Sequence, residues 1–212
     1  VSWTGTGNTE TVGHGLGVTP SFYILKSRDN AEDWAAYFTV LDGSLDYIAL
    51  NTTNAKSDSG LTAPTSTVIY RGTADANNEK MIAYCFAEVE GYSKFGSYTG
   101  NGTTDDGPFV YLGFKPAVVW LKGSSTTGDW RIYDTARDPY NLTHANLYAN
   151  ESASEDGRDG SGFNRIDILS NGFKIKSHSS GTETNNSGST FIYCAWAENP
   201  FGGSGVSPAT AR

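Results

Sequence analysis

The chain has 212 residues, a formal net charge of −8 and 18% charged residues, below the roughly 25% usual for soluble domains. Its ten Phe, twelve Tyr and five Trp allow a buried core and argue against disorder of the whole chain. The acidic charge disfavours nucleic acid as a partner, and no apolar run approaches the ~20 residues of a membrane helix. We therefore expect a folded protein that neither binds nucleic acid nor inserts into a membrane.

Short β-favouring runs, bounded by Gly, Pro, Asn, Asp or Ser, follow one another along the chain, and none shows a sustained helical period. Ser170, Asn171 and Gly172 form a tight-turn signal between two of these runs. The pattern predicts an all-β fold, an antiparallel sandwich or barrel. Of the two we favour an antiparallel β-sandwich, for which a jelly-roll or lectin-like topology is a candidate. The predicted strands are 22–26, 34–39, 47–50, 67–70, 81–88, 109–112, 117–122, 130–134, 146–149, 165–169, 173–177 and 191–198.

An internal repeat organises these strands. Residues 16–26 match 112–122 at an offset of 96, and residues 82–88 match 192–198 at an offset of 110. Such self-similarity predicts two tandem homologous copies. We place the first copy at 1–97, the second at 98–205 with an inserted loop at 155–162, and a tail at 206–212. The connection 89–98 carries three aromatic residues, which a free linker would avoid, so we expect the copies to pack together.

The two cysteines lie in equivalent strands under the offset of 110. Cys85 matches Ala195, and Tyr84 matches Cys194, so the thiols point to opposite faces of those strands. This arrangement predicts two buried free thiols and no disulfide between them.

The sequence contains no recognisable nucleophile motif. His14, His144 and His178 are the histidines, and none lies in a nucleophile-elbow motif. Glu88 and Glu198 could form the carboxylate pair of a glycosidase. However, they occupy equivalent strand ends, and an acid and a nucleophile need different environments. A shared structural role is therefore favoured, and a polysaccharide-degrading enzyme is the less favoured alternative.

The segment 134–141 is the best local candidate for a metal. Asp134, Asp138 and Asn141 supply the oxygen ligands that calcium prefers. The spacing is not that of an EF-hand, and Arg137 could instead form an ion pair with either aspartate. The sequence thus predicts no obligatory cofactor, with calcium as a candidate at these three residues.

Aromatic residues are the other candidate ligand contacts, because sugar-binding proteins stack aromatic rings on pyranose rings. Trp34 and Trp130 are repeated and precede alternating strands, so a core position is the default for both. Trp130 is nevertheless kept as a candidate ligand contact together with Arg137, Tyr140 and Tyr148. We also expect exposed rings at Tyr92, Phe95 and Tyr98, which lie in polar or loop contexts.

Six strings taken together resemble a β-rich domain of tail-fibre-like and virion structural proteins of marine bacteriophages. They span residues 15–20, 84–102, 112–117, 133–141, 170–174 and 195–201. The resemblance implies a non-enzymatic structural or adhesive module, located in a virion or outside the cell. Its partners would be a host-surface glycan or neighbouring virion subunits. The resemblance also implies a homo-oligomer, with the trimer as the common form. A free-standing secreted lectin-like protein is the alternative.

Overall fold

The computed structural model describes residues 1–39, 41–71, 77–155, 164–177 and 183–200. In these ranges the chain forms sixteen β-strands and no helix, and every strand pairing is antiparallel. The predicted all-β, antiparallel fold is confirmed. Nothing in the described part of the chain is a helix that could span a membrane. The chain divides into unit 1, residues 1–51 and 56–88, and unit 2, residues 52–55 and the chain from 89 on.

Unit 1 contains a six-stranded sheet of order β1-β8-β3-β4-β5-β6 and a two-stranded sheet β2-β7. Val12 and Ile69 of the smaller sheet pack against Tyr23, Leu25 and Tyr37 of the larger one, so the core lies between the two sheets. The strands are β1 (Ser2–Thr4), β2 (Glu10–Gly13), β3 (Phe22–Ser27), β4 (Ala35–Phe38), β5 (Asp46–Ala49), β6 (Ser57–Asp58), β7 (Val68–Arg71) and β8 (Lys80–Phe86).

Unit 2 contains a five-stranded and a three-stranded sheet. Val119 and Phe191 of the larger sheet share a core cluster with Val110, Ile166 and Phe173 of the smaller one. The strands are β9 (Ser93–Thr99), β10 (Phe109–Tyr111), β11 (Pro116–Gly123), β12 (Arg131–Asp134), β13 (Asn146–Tyr148), β14 (Ile166–Leu169), β15 (Gly172–Ile175) and β16 (Thr190–Ala197). Their orders are β13-β12-β11-β16-β9 and β10-β15-β14. The turn between β14 and β15 lies at Ser170 and Asn171, as the sequence predicts.

The two units share the order of the strands in their larger sheets. β1-β8-β3-β4-β5 in unit 1 corresponds to β9-β16-β11-β12-β13 in unit 2. The strand registers agree as well. Residues that face one another in unit 1 match residues that face one another in unit 2 at the sequence offsets of 96 and 110. These sets are Tyr23, Tyr37 and Cys85 in unit 1 and Val119, Tyr133 and Ala195 in unit 2. A duplication would produce this correspondence, and the two-copy organisation of the chain stays a prediction.

Each of the twelve predicted strands overlaps an observed one. The strands β1, β2 and β6 have no predicted counterpart, and β9 lies in the segment 89–98 that the sequence predicts as a connection. It is a seven-residue strand that pairs along its whole length with β16. Phe95 is 3% exposed and packs edge-on against Trp196, whereas Tyr98 is 9% exposed and stacks on Phe191. The expectation of exposed rings at Phe95 and Tyr98 is therefore wrong. Their rings are buried because β9 has partners on both of its faces.

Both cysteines are free thiols. Cys194 is fully buried, and burial raises its thiol pKa well above the usual range. Cys85 is half-buried against the core of unit 1, and the same cause raises its pKa. The prediction of free thiols is confirmed, with complete burial at Cys194 alone.

Candidate functional site

The candidate site lies in unit 2, in the segment that joins β12 to β13. This segment begins at Asp134, the last residue of β12. The Asp134 carboxylate accepts a hydrogen bond of 2.8 Å from the backbone N–H of Arg137 and another from its guanidinium Nε. Arg137 also lies 3.8 Å from the carboxylate of Glu155. The first turn of the segment is thus closed by the Asp134–Arg137 ion pair, one of the two pairings that the sequence leaves open.

Asp138 fixes the middle of the segment from inside the protein. It is 1% exposed, and its Oδ2 accepts the backbone N–H groups of His144 at 3.0 Å and Ala145 at 3.2 Å. The His144 ring Nδ1 lies 3.2 Å from the same oxygen. A buried carboxylate with several N–H donors is a strong structural anchor, because each donor would otherwise be buried without a partner.

Asn141 fastens the segment to the smaller sheet of unit 2. Its Nδ2 donates to the carbonyl of Ile168 in β14, and its Oδ1 accepts the N–H of the same residue, both at 2.9 Å. The side chain therefore imitates a strand partner for β14. Together with Asp138, it holds the exposed residue between them, Tyr140, on a fixed backbone.

The three candidate calcium ligands all have protein partners. Asp134 binds Arg137, Asp138 binds the segment 144–145, and Asn141 binds β14. Among the residues that the structure describes, no group of three or more His, Cys, Asp or Glu side chains is placed to hold a metal ion. The segment is thus not a preformed calcium cage, and calcium binding remains a prediction.

An open cleft of about 360 Å³ lies beside the segment. Tyr140, His144 and Arg165 contribute its larger side chains, and Asp138, Asn141 and Leu142 complete the lining. Tyr140 is 74% exposed, more than any other large apolar residue of the described chain. Arg165 donates a hydrogen bond of 3.0 Å to Asp105, which steadies its guanidinium at the cleft. The cleft therefore combines one exposed aromatic ring with hydrogen-bond donors.

Three of the four predicted ligand contacts do not line this cleft. Trp130 is 1% exposed, as its default core position predicts, and its backbone N–H donates to Asn150 at 2.8 Å. Tyr148 lies under the guanidinium of Arg131, whose carbon is 5.0 Å from the ring centroid. Arg137 is engaged by Asp134. Of the four predicted ligand contacts, Tyr140 is thus the one that the structure places at the cleft.

Sequence reasoning did not select His144 and Arg165 as site residues. Arg165 reaches the cleft because β14 pairs with the segment through the Thr143–Ile166 bridge, a contact between residues far apart in the chain. His144 is noticeable in the sequence as one of three histidines, but no spacing rule links it to Asp138. Elsewhere in unit 2, Glu198 forms an ion pair of 2.7 Å with Lys115, which fits its predicted structural role.

A buried cation lies in unit 2 outside the cleft. Lys122 is 0% exposed, and its ammonium donates to the carbonyls of Gly123 at 2.8 Å and Thr53 at 3.3 Å. Burial lowers its pKa to about 8, because desolvation penalises the charged form more than nearby carboxylates stabilise it.

The burial of Lys122 predicts a pH-dependent stability. Between about pH 8 and about pH 10.4, the unfolded chain holds a proton on this lysine that the folded chain has released. The free energy of unfolding should therefore rise with pH in this window, by up to about 1.4 kcal/mol per pH unit. Urea denaturation of the wild type and of Lys122→Met from pH 7 to pH 10.5 measures this, with Lys26→Met as the variant that removes the equivalent lysine of unit 1. Parallel curves for the wild type and Lys122→Met would contradict the prediction.

The fold and the cleft define an all-β protein of antiparallel sheets with an exposed loop site. The chain belongs to the family described as a domain of unknown function, DUF7483, whose model matches residues 1–200. No curated protein and no solved structure matches the chain.

Proposed function

We propose that the chain is a non-enzymatic adhesive module that presents the segment 134–145 to a glycan on a host surface. The observation that carries the proposal is Tyr140, a 74% exposed ring on a backbone that the buried Asp138 and the Asn141–Ile168 hydrogen bonds hold in place. Large exposed aromatic residues in fixed loops are typical of recognition surfaces.

The chemistry of the cleft suits a sugar ring. The π-face of tyrosine is electronegative and attracts the C–H groups on the apolar face of a pyranose, and His144 and Arg165 can donate to its hydroxyl oxygens. A volume of about 360 Å³ lies at the lower end of the range of small-ligand sites. Because the loop is already ordered by its anchors, little conformational entropy is lost when the ligand binds.

The single described carboxylate at the cleft supports a binding role over hydrolysis. Glycoside hydrolysis normally needs two carboxyl groups that flank the scissile bond. Asp138 is the single carboxylate among the described lining residues, and its oxygen already accepts several N–H donors. It therefore has a positioning role in this proposal, and no residue is assigned to catalysis.

From the resemblance of six sequence strings to tail-fibre-like and virion proteins, we further propose a location in a virion or outside the cell, with neighbouring subunits as further partners. Under this part of the proposal the chain should form a stable trimer or a longer polymer. Light scattering of the native protein, with and without a calcium chelator, measures this. A chelator-insensitive monomer would contradict the fibre assignment and favour a free-standing lectin-like protein with the same cleft.

The glycan proposal is tested by replacing the exposed ring. Tyr140→Ala should weaken binding to glycans selected on an array by at least about tenfold, which corresponds to about 1.4 kcal/mol. Tyr84→Ala is the matched control, because this tyrosine of unit 1 is 43% exposed and lies outside the cleft. Affinities are measured by calorimetric titration. Equal affinities of Tyr140→Ala and Tyr84→Ala, or no glycan bound by the wild type, would overturn the proposal.

A further inference from the structure

A second exposed aromatic surface lies on unit 2, on the outer face of its smaller sheet. Phe109 and Tyr111 in β10 are 47% and 49% exposed, whereas Val110 between them is 7% exposed and belongs to the core. Because side chains alternate along a strand, both rings project from the same face, about 7 Å apart. Two neighbouring rings thus face away from the core.

The neighbouring strand holds the rings close to the sheet. Gly172 of β15 pairs with Tyr111, and a Cβ atom added to Gly172 would lie 3.1 Å from the Phe109 ring and 2.1 Å from the Val110 carbonyl oxygen. The glycine therefore lets the Phe109 ring lie against the backbone of β15. This contact restrains the ring in the free protein, so the ring loses less conformational entropy when a ligand binds.

A lysine completes the surface. The Lys94 ammonium donates to the Tyr111 carbonyl at 3.1 Å and lies 5.4 Å from the centroid of the Tyr111 ring. In the part of the chain that the structure describes, no carboxylate forms an ion pair with Lys94, whereas the nearby Lys174 is paired with Asp106 at 2.5 Å. On a chain of net charge −8, Lys94 is thus a cation that has no counter-ion among the described residues and lies beside two exposed rings.

We infer that Lys94, Phe109 and Tyr111 form a site for an acidic saccharide. The carboxylate of a uronic or sialic acid accepts hydrogen bonds from the Lys94 ammonium, and the apolar face of the sugar lies on the aromatic rings. A neutral sugar would leave the ammonium without a counter-ion, so charge complementarity favours the acidic one. A protein partner needs about 800 Å² on each side of a stable interface, far more than two rings and one lysine offer.

The site is independent of the Tyr140 cleft, because the two surfaces share no residue. Its test is titration of the full chain with tetragalacturonate, with sialyllactose, and with their carboxyl-reduced counterparts at low salt. We expect the wild type to bind at least one acidic probe tenfold or more tightly than its neutral counterpart, with affinity falling as salt rises. Lys94→Gln should remove this preference, Lys94→Arg should retain it, and Phe109→Ala should weaken both forms of the probe.

Two results would overturn the inference. One is equal binding of the acidic and neutral forms, or no binding of either, by the wild type. The other is an unchanged preference in Lys94→Gln when its thermal unfolding matches that of the wild type. Tyr140→Ala separates this site from the proposed function: a preference that survives this variant belongs to the Lys94 surface, and a preference lost with it contradicts the inference.

Discussion

Replacing Trp130 with alanine should lower the free energy of unfolding of unit 2 by about 3–5 kcal/mol, the usual effect of truncating a buried aromatic side chain. The Trp130 ring is 1% exposed and is among the largest fully buried side chains of the described chain. Its removal would leave a cavity that the surrounding strands cannot fill. Urea denaturation, followed by circular dichroism, measures the loss.

Trp34→Ala is the matched control. Trp34 takes the equivalent place in unit 1. Each tryptophan donates its backbone N–H to the side-chain oxygen of an asparagine. The side-chain amide of that asparagine donates in turn to the aspartate that directly precedes the tryptophan. These sets are Asp33, Trp34 and Asn51 in unit 1 and Asp129, Trp130 and Asn150 in unit 2. Because Trp34 is 41% exposed, its loss should cost about 1–2 kcal/mol. Equal losses for the two variants would contradict the assignment of Trp130 to the core.

Asp138→Ala should destabilise unit 2 by about 3 kcal/mol and also weaken glycan binding at the cleft. The substitution removes the acceptor of the N–H groups of His144 and Ala145, and buried donors without a partner are unfavourable. The segment that carries Tyr140 would lose its internal anchor. Denaturation measures the first effect and calorimetric titration the second.

Asp134→Ala is the comparison for this variant. The Asp134 carboxylate lies in the same segment but is 21% exposed, and its Arg137 partner is 26% exposed. Solvent screening limits the contribution of such a pair to about 1 kcal/mol. If Asp138→Ala were no more destabilising than Asp134→Ala, Asp138 would not be the anchor of the segment.

Much of the fold could be predicted from local sequence patterns. The strands β3 and β11 follow a Leu-Gly-x-x-Pro turn and consist of β-favouring residues. The turn residues and the composition therefore both predict a strand at these two places. The turn at Ser170 and Asn171 is predictable for the same reason. The offset of 96 also holds for strand pairing: Tyr23 faces Tyr37 in unit 1, and Val119 faces Tyr133 in unit 2. The register is predictable here because the alternation of side chains fixes which face of each strand is buried.

The strand β9 and the lengths of the connections were not predictable in this way. In β9, Gly96 and polar residues interrupt the aromatic residues, and the strand is stabilised by its long-range pairing with β16. The extra residues of unit 2 are also distributed over several connections. Tyr47 faces Tyr37 and Asn146 faces Tyr133, so the sequence offset between the units is 99 at this point. For the buried Ile69 and Phe173 the offset is 104, and it reaches 110 only at the last strand of each unit. The predicted insertion at 155–162 has one residue, Glu155, within the described ranges.

For the candidate site, the sequence indicates the segment and not its geometry. Residue types alone cannot show that Asp138 is buried and that Asn141 pairs with β14, because both contacts depend on the tertiary fold. The same holds for Trp34 and Trp130, which share local contacts and differ in burial. Tyr140 was predictable, since a tyrosine that follows a proline in a polar loop is readily exposed.

The most direct test of the adhesive proposal is to map a bound glycan on the protein by NMR. A neutral glycan selected on an array, which the Lys94 surface does not favour, is titrated into the isotope-labelled chain, and the backbone and side-chain resonances are followed. We predict that the largest shifts occur at Tyr140, His144 and Arg165 and that they saturate with a single binding curve. Shifts confined to residues outside the cleft, or none at saturating glycan, would contradict the account.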